Sequence, residues 1–219
     1  MSHRPFKNRL YAEFARVGTA LGSDKRLELL DLLAQGPRYV DALAAEMEMS
    51  VANVSQHLQV LRNAKLVESE REGTRVLYRL GDESVLKLWL VLRAVAEDRL
   101  PEIRQLRAQH SIEGLDAEMR RDELATLLAG DKVVLIDVRP ALEFEHGHIP
   151  GAVQIPVEEL PGRLGDLPRD KRIVAYCRGP YCLFADEAVA LLQQHGFDAV
   201  RLEGGWPDWQ AEGREAERQ

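Results

Sequence analysis

The sequence predicts two domains: a mainly helical N-terminal one that includes a β-hairpin, and a C-terminal α/β one with a mostly parallel central sheet. Three observations carry this. The chain has 219 residues, more than one modest domain needs for its core. Its apolar residues recur at helical spacing through most of the first half and then change to short β-like runs alternating with helices. The charge also changes sign. Residues 1–112 hold 17 Lys/Arg against 15 Asp/Glu, whereas residues 113–219 hold 12 against 21, within a formal net charge of −7. The expected division is residues 1–109, a linker at 110–117 containing Ser111 and Gly114, and residues 118–219.

Apolar positions at helical period run from Phe6 to Leu21 and, after the candidate N-cap Ser23, from Leu27 to Leu33, where Gly36-Pro37 ends the pattern. A short helix is expected from Val40 to Glu46. A new N-cap, Ser50, then opens a helix reaching about Asn63. Two strand-like runs follow, Leu66 to Glu70 and Thr74 to Leu80, with Arg71-Glu72-Gly73 as the turn. A helix-turn-helix pair followed by such a hairpin is a winged helix-turn-helix. From Glu83 to about Gln109 a long helix is expected, interrupted at Pro101, with a wide apolar face of Val85, Leu86, Leu88, Trp89, Leu92, Val95 and Ala96 that points to a partner subunit.

In the second half, strand runs at Val133–Ile136, Ala152–Ile155, Ile173–Tyr176 and Ala199–Leu202 alternate with helical stretches near Arg120–Leu128, Glu158–Leu164 and Leu183–Gln194. Ligand sites of such sheets lie beyond the carboxyl ends of the strands. Both cysteines of the sequence fall there, Cys177 and Cys182, enclosing Arg178-Gly179-Pro180-Tyr181. Loop N–H groups, a helix N-terminus and the charge of Arg178 would all stabilise a thiolate at Cys177. Two buried thiols or a structural disulfide remain the plainer reading of the spacing alone. The Glu/Arg-rich tail after Trp209 reads as a solvated helix end or a frayed terminus.

No apolar run approaches the ~20 residues of a membrane span, and the first residues lead into no signal-like apolar core. A cytoplasmic protein is expected. In that reducing compartment a C-x4-C pair favours redox or catalytic chemistry over a permanent staple. The acidic whole-chain balance argues against nucleic acid, but basic residues cluster locally near the helix-turn-helix.

The run Ser50-Val51-Ala52-Asn53-Val54-Ser55-Gln56-His57-Leu58-Gln59-Val60-Leu61-Arg62, its exit Ala64-Lys65-Leu66-Val67, and the wing with Arg71, Gly73, Thr74, Arg75 and Tyr78 resemble the ArsR/SmtB family of bacterial repressors over residues 10–100. Val54, Leu58 and Leu61 would face the core. Ser50, Asn53, Ser55, Gln56 and Gln59 would read base edges, and Arg62, Lys65, Arg71 and Arg75 would meet phosphates. Thr74 belongs with the wing's DNA contacts, and His57 would be structural or touch the DNA backbone. The resemblance implies double-stranded operator DNA and a second copy of the chain as partners. It departs from the family's metal sensors: Tyr39–Met49 has neither cysteine nor histidine, and Glu83–Leu100 has no histidine, so no metal site is expected at either place.

Asp137-Val138-Arg139, Glu143-Phe144, Gly147-His148-Ile149-Pro150-Gly151-Ala152, the Cys177–Cys182 loop and Gly204-Gly205-Trp206 together resemble a single-domain rhodanese over residues 118–213. The resemblance implies that Cys177 is the nucleophile that takes a sulfane sulfur from a small donor and becomes a persulfide, with no other cofactor. Arg178, Gly179, Pro180, Tyr181 and Cys182 would form the loop that holds the anionic sulfur. Asp137 and Arg139 read as a structural ion pair, and His146 and His148 as part of a structural turn rather than a metal site. Phosphatase and arsenate-reductase relatives of this scaffold carry a loop one residue longer that closes on arginine; here Leu183 follows Cys182, which favours sulfur. Cys182 could resolve a persulfide on Cys177 into a disulfide or polysulfide bridge. The expected function is a DNA-binding repressor whose rhodanese domain senses persulfide or redox state. Two alternatives are a thiosulfate-type sulfurtransferase whose winged helix serves dimerisation or localisation, and an interaction module with both sites degenerate.

Overall fold

The structure is a computed structural model that describes residues 3–110, 112 and 118–218. It forms two compact units that divide in sequence between Leu92 and Arg93. The linker expected at 110–117 lies, apart from His110 and Ile112, outside the described residues.

In the first unit, helices α1 (Arg4–Leu21), α2 (Asp24–Leu33), α3 (Val40–Glu46) and α4 (Val51–Asn63) and the start of α5 (Glu83–Arg99) accompany a small antiparallel sheet. That sheet has three strands, β1 (Arg38–Tyr39), β2 (Val67–Glu72) and β3 (Arg75–Leu80), in the order β1-β3-β2. Strand β1 is missing from the sequence reading because two residues carry no period. Val54, Leu58 and Leu61 of α4 bury completely against Leu29, Leu30 and Leu43, as the helical spacing predicts. Helix α1 starts before Phe6 because Pro5 suits a first turn, where its missing N–H costs nothing. Ser23 precedes α2 with extended backbone, but its hydroxyl caps nothing.

Ser50 does cap α4, its Oγ accepting from the Asn53 N–H at 3.3 Å. Ser50→Ala should destabilise this unit by about 1 kcal/mol, read from urea unfolding of the full chain. The hairpin turn is tighter than expected. Arg71 and Glu72 pair with Val76 and Arg75, leaving Gly73-Thr74 as a two-residue turn with Gly73 at φ 62°.

The second unit begins within α5 and continues through α6 (Pro101–His110) into an α/β fold. Its elements are β4 (Glu118–Met119), α7 (Arg121–Ala129), β5 (Val133–Asp137), α8 (Ala141–His146), β6 (Val153–Gln154), α9 (Leu160–Arg163) with a 3-10 turn, β7 (Arg172–Tyr176), α10 (Phe184–Gln194), β8 (Ala199–Leu202) and α11 (Trp206–Ala211). All five strands run parallel, in the order β4-β8-β7-β5-β6. Strand β4 and the six-residue helices α8 and α11 are too short to show a period and were not expected as such.

Alternation along β7 sorts the core. Ile173, Ala175 and the following Cys177 join a cluster with Ala185, Ala188, Val189 and Leu192 of α10. Val174 and Tyr176 join the opposite cluster, with Leu124 of α7 and Trp206 and Trp209 of α11. The C-terminal tail is tied rather than frayed: His148 and Glu217 exchange backbone hydrogen bonds at 3.0 Å each, and the Trp209 indole N–H donates to the Glu215 carbonyl at 2.8 Å. No helix among the described residues is long and apolar enough to cross a membrane.

Candidate functional site

Cys177 stands one residue past the carboxyl end of β7, and α10 begins at Phe184, so the six residues Cys177–Cys182 and Leu183 make the strand-to-helix turn. Both thiols are free, and Cys182 packs against the buried cluster that holds Cys177. Cys177 is completely buried; its thiol donates weakly toward the carbonyls of Cys182 at 3.4 Å and Gly179 at 3.7 Å. Cys182 is only partly buried.

The sequence reading seats a thiolate at Cys177. Burial pushes the Cys177 thiol well above its ordinary value, because removing a charge from water disfavours the ionised form. A hydrogen bond from Cys177 lowers the Cys182 thiol below its ordinary value. Arg178 also differs from expectation. Its Nε and Nη2 donate to Glu143 Oε1 at 2.9 and 2.6 Å, so the cation beside the sulfurs is matched by a buried carboxylate. Glu143 thus fixes the loop from α8, across a sequence separation no local pattern reveals.

The remaining loop residues have their own supports. Gly179 adopts φ 155°, a backbone region that favours glycine, and lies against the Arg93 guanidinium, which pairs with Asp208. The Tyr181 phenol donates to Glu97 Oε1 at 2.6 Å; burial, then this hydrogen bond, raises its pKa. Pro180, Tyr181 and Leu183 border a cavity of about 660 Å³ whose wall also carries Arg104, Arg107 and Arg201. Gly205 closes the loop from behind. A Cβ there would come under 3.0 Å from backbone atoms of Cys177, Arg178 and Gly179, so only glycine fits this approach. Arg93 and Glu97 have no sequence signal as loop supports; the Glu143-Phe144 and Gly204-Gly205-Trp206 motifs do mark the contacts of Glu143 and Gly205.

Asp137 and Arg139 form a fully buried ion pair, with Nη2 to Oδ2 at 2.6 Å, and the same Nη2 donates to the Gly147 carbonyl at 2.8 Å. His148 is buried, stacked on Phe144, with Nδ1 2.9 Å from the Phe144 carbonyl oxygen. Among the described residues no group of three or more His, Cys, Asp and Glu is arranged to hold a metal ion.

On α4, Asn53, Gln56 and Gln59 are exposed, Ser55 and His57 are half-buried, and the Ser50 hydroxyl is engaged as the cap. The basic residues separate into two places. Arg62 and Lys65 lie at the base of the hairpin, where Arg62 donates to Ser69 Oγ at 3.1 Å. Arg71, Thr74 and Arg75 lie at its tip, where Arg75 pairs with Asp41 at 2.9 Å and stacks on the Tyr39 ring.

Residues 120–212 match the rhodanese-like domain family model, and residues 23–69 match that of the bacterial regulatory proteins of the arsR family. The HTH-type transcriptional regulator Rv0324 of Mycobacterium tuberculosis is 42% identical over 207 residues, covering 94% of this chain and 91% of that protein. The chain belongs to the ArsR-type transcriptional regulators that carry a rhodanese-like domain. A sulfurtransferase of Allochromatium vinosum is 34% identical to this regulator over 100 residues, covering 45% of the regulator and 89% of the sulfurtransferase. A solution structure of the homodimeric winged helix-turn-helix DNA-binding domain Mb0332 of Mycobacterium bovis is 44% identical, with a TM-score of 0.43, covering 46% of the regulator and 91% of that fragment.

Proposed function

We propose that this regulator binds operator DNA as a homodimer through α4 and the hairpin wing, and that sulfane sulfur taken up by the Cys177–Cys182 loop changes its affinity for that DNA. The observation that carries the reading is that both cysteines of the sequence stand in one six-residue loop, with the Cys177 thiol 3.4 Å from the Cys182 carbonyl. A persulfide formed on such a pair can pass between the sulfurs, or be resolved into a disulfide with release of sulfide. No cofactor beyond that covalent sulfur is required.

Helix α5 supports the loop as the point of signal entry. It places Val85 and Leu86 in the core of the first unit and donates from the Trp89 indole to Asp31 there, while its later residue Glu97 holds Tyr181 in the second. Phe6, Tyr11 and Phe14 of α1 and Val91 and Val95 of α5 are each more than half exposed and supply the apolar faces that a second copy would cover.

The test is operator binding by the full chain, reduced, polysulfide-treated, and as Cys177→Ser. Polysulfide should shift the wild-type affinity roughly 5- to 150-fold, the span of a 1–3 kcal/mol coupling, and leave Cys177→Ser unmoved. Equal affinity in all three samples would remove the sensing role. Steady thiosulfate-to-thiol turnover without operator binding at low salt would instead favour a sulfurtransferase enzyme.

A further inference from the structure

We propose that Glu97 of α5 is a two-position switch set by the sulfur loop: it holds the Tyr181 phenol while the loop carries plain thiols, and turns to Arg93 when the loop gains sulfur. This rests on the reading of the loop as a sulfur acceptor and names the contact through which its state is read. The Tyr181 phenol donates to Glu97 Oε1 at 2.6 Å. The same oxygen lies 3.6 Å from Arg93 Nε, a buried N–H with no hydrogen-bond partner among the described residues, although Nη2 of that guanidinium pairs with Asp208. One carboxylate oxygen therefore faces two donors and serves one. A buried donor left without an acceptor costs free energy, so a turn of Glu97 toward Arg93 offsets the loss of its bond to Tyr181.

The pinned parts of the loop direct its swelling toward Tyr181. An added sulfur needs room, and Cys177 has none, being 0% exposed among Ile136, Ala175, Ala185 and Ala188. Close-packed interiors answer added volume by moving backbone. Arg178 is tied to Glu143 at 2.6 and 2.9 Å, and the Gly205 backbone closes the loop from behind. Tyr181, 46% exposed, is the part with space to move, and its phenol is held by Glu97. Helix α5 carries the change onward. One turn before Arg93, its Trp89 indole donates to Asp31 Oδ1 at 3.0 Å, and before that Val85 shares a core with Val54, Leu58 and Leu61 of α4. The two positions of Glu97 thus form a two-state element on the helix that enters the core beneath α4.

The experiment loads the reduced full chain with glutathione persulfide. The Cys177 thiolate takes the outer sulfur of R–S–SH, the donor's S–S bond breaks, and R–S⁻ leaves with the electron pair and picks up the thiol's proton, so no oxidant is added. Mass spectrometry fixes the loaded fraction, and operator affinity is measured before and after loading, at equal loading of every variant. The wild-type shift should shrink about 10-fold or vanish in Tyr181→Phe and in Glu97→Ala, the effect of one hydrogen bond to a charged group. Glu97→Gln, which keeps an acceptor for the phenol, and Asp98→Ala, which removes the neighbouring exposed carboxylate, should retain it. Hydrogen exchange of the wild type needs no variant: loading should shift the protection of the α5 amides at 93–99. A full wild-type shift in loaded Tyr181→Phe and Glu97→Ala, or unchanged exchange at 93–99 in the loaded wild type, would overturn the switch and leave sulfur sensing standing. Sulfur on the loop with no change in wild-type affinity, or no sulfur on the loop at all, would overturn both.

Discussion

Asp137→Ala should destabilise the rhodanese-like unit by about 3–5 kcal/mol, the usual cost of leaving one member of a buried ion pair without its partner. Asp137 and Arg139 are both fully buried, and Asp137 Oδ1 also accepts the Arg139 backbone N–H at 3.0 Å. The stranded guanidinium would sit beside the rings of Tyr176 and Trp206, 5.6 and 5.5 Å away, with the Gly147 carbonyl among its acceptors. Tyr176 is drawn in too: its phenol accepts from the Ile149 N–H at 3.1 Å, and burial holds its pKa well above the ordinary value. Thermal unfolding of the full chain measures the loss. The double substitution Asp137→Ala with Arg139→Met should recover part of it, because an apolar replacement of the whole pair removes the uncompensated charge. A double variant no more stable than Asp137→Ala would mean that the loop tie to Gly147, rather than the buried charge, dominates.

Gly205→Ala should leave the unit folded, at a cost of about 1–3 kcal/mol, while slowing sulfur uptake roughly 10²-fold. The contacts that a methyl group would make there are with the backbone of Cys177, Arg178 and Gly179, which has no flexible end to yield. The strain falls on the sulfur loop, and the Trp206 N–H bond to the Cys177 carbonyl at 3.2 Å would have to shift with it. Gly165→Ala is the control, since a Cβ there meets nothing within 4 Å. Mass spectrometry of the persulfidated chain, compared at equal times, gives the rate ratio. Equal uptake by both variants would show that the close approach of Gly205 does not govern the loop.

Much of this was legible in the sequence, for reasons that differ by element. Helix α4 could be bounded because Ser50 has a hydroxyl at the right place and Val54, Leu58 and Leu61 share one face. The reactive loop could be placed because β7 is apolar and a helix follows. Short elements escaped: β1 and β4 have two residues each and gain their identity only from their pairing with β3 and β8. The electrostatics of the loop escaped for another reason. Arg178 looks like a free cation until Glu143 is brought to it from 35 residues away, and nothing in C-x4-C says which thiol is sealed. The tail misled because its charged composition resembles a frayed end, whereas the backbone of Glu217 pairs with His148.

The complete burial of Cys177 bears on how a signal would end. A metal leaves a sensor by dissociating when its free concentration falls. Sulfur bonded to Cys177 leaves only when another thiol takes it, either Cys182 of the same loop or one that first reaches a place from which solvent is excluded. Erasure would then follow the opening of the loop and the supply of reductant rather than the disappearance of the donor. On the proposed reading, the regulator would keep a record of past sulfur exposure, with a lifetime set by how tightly six residues close over one atom.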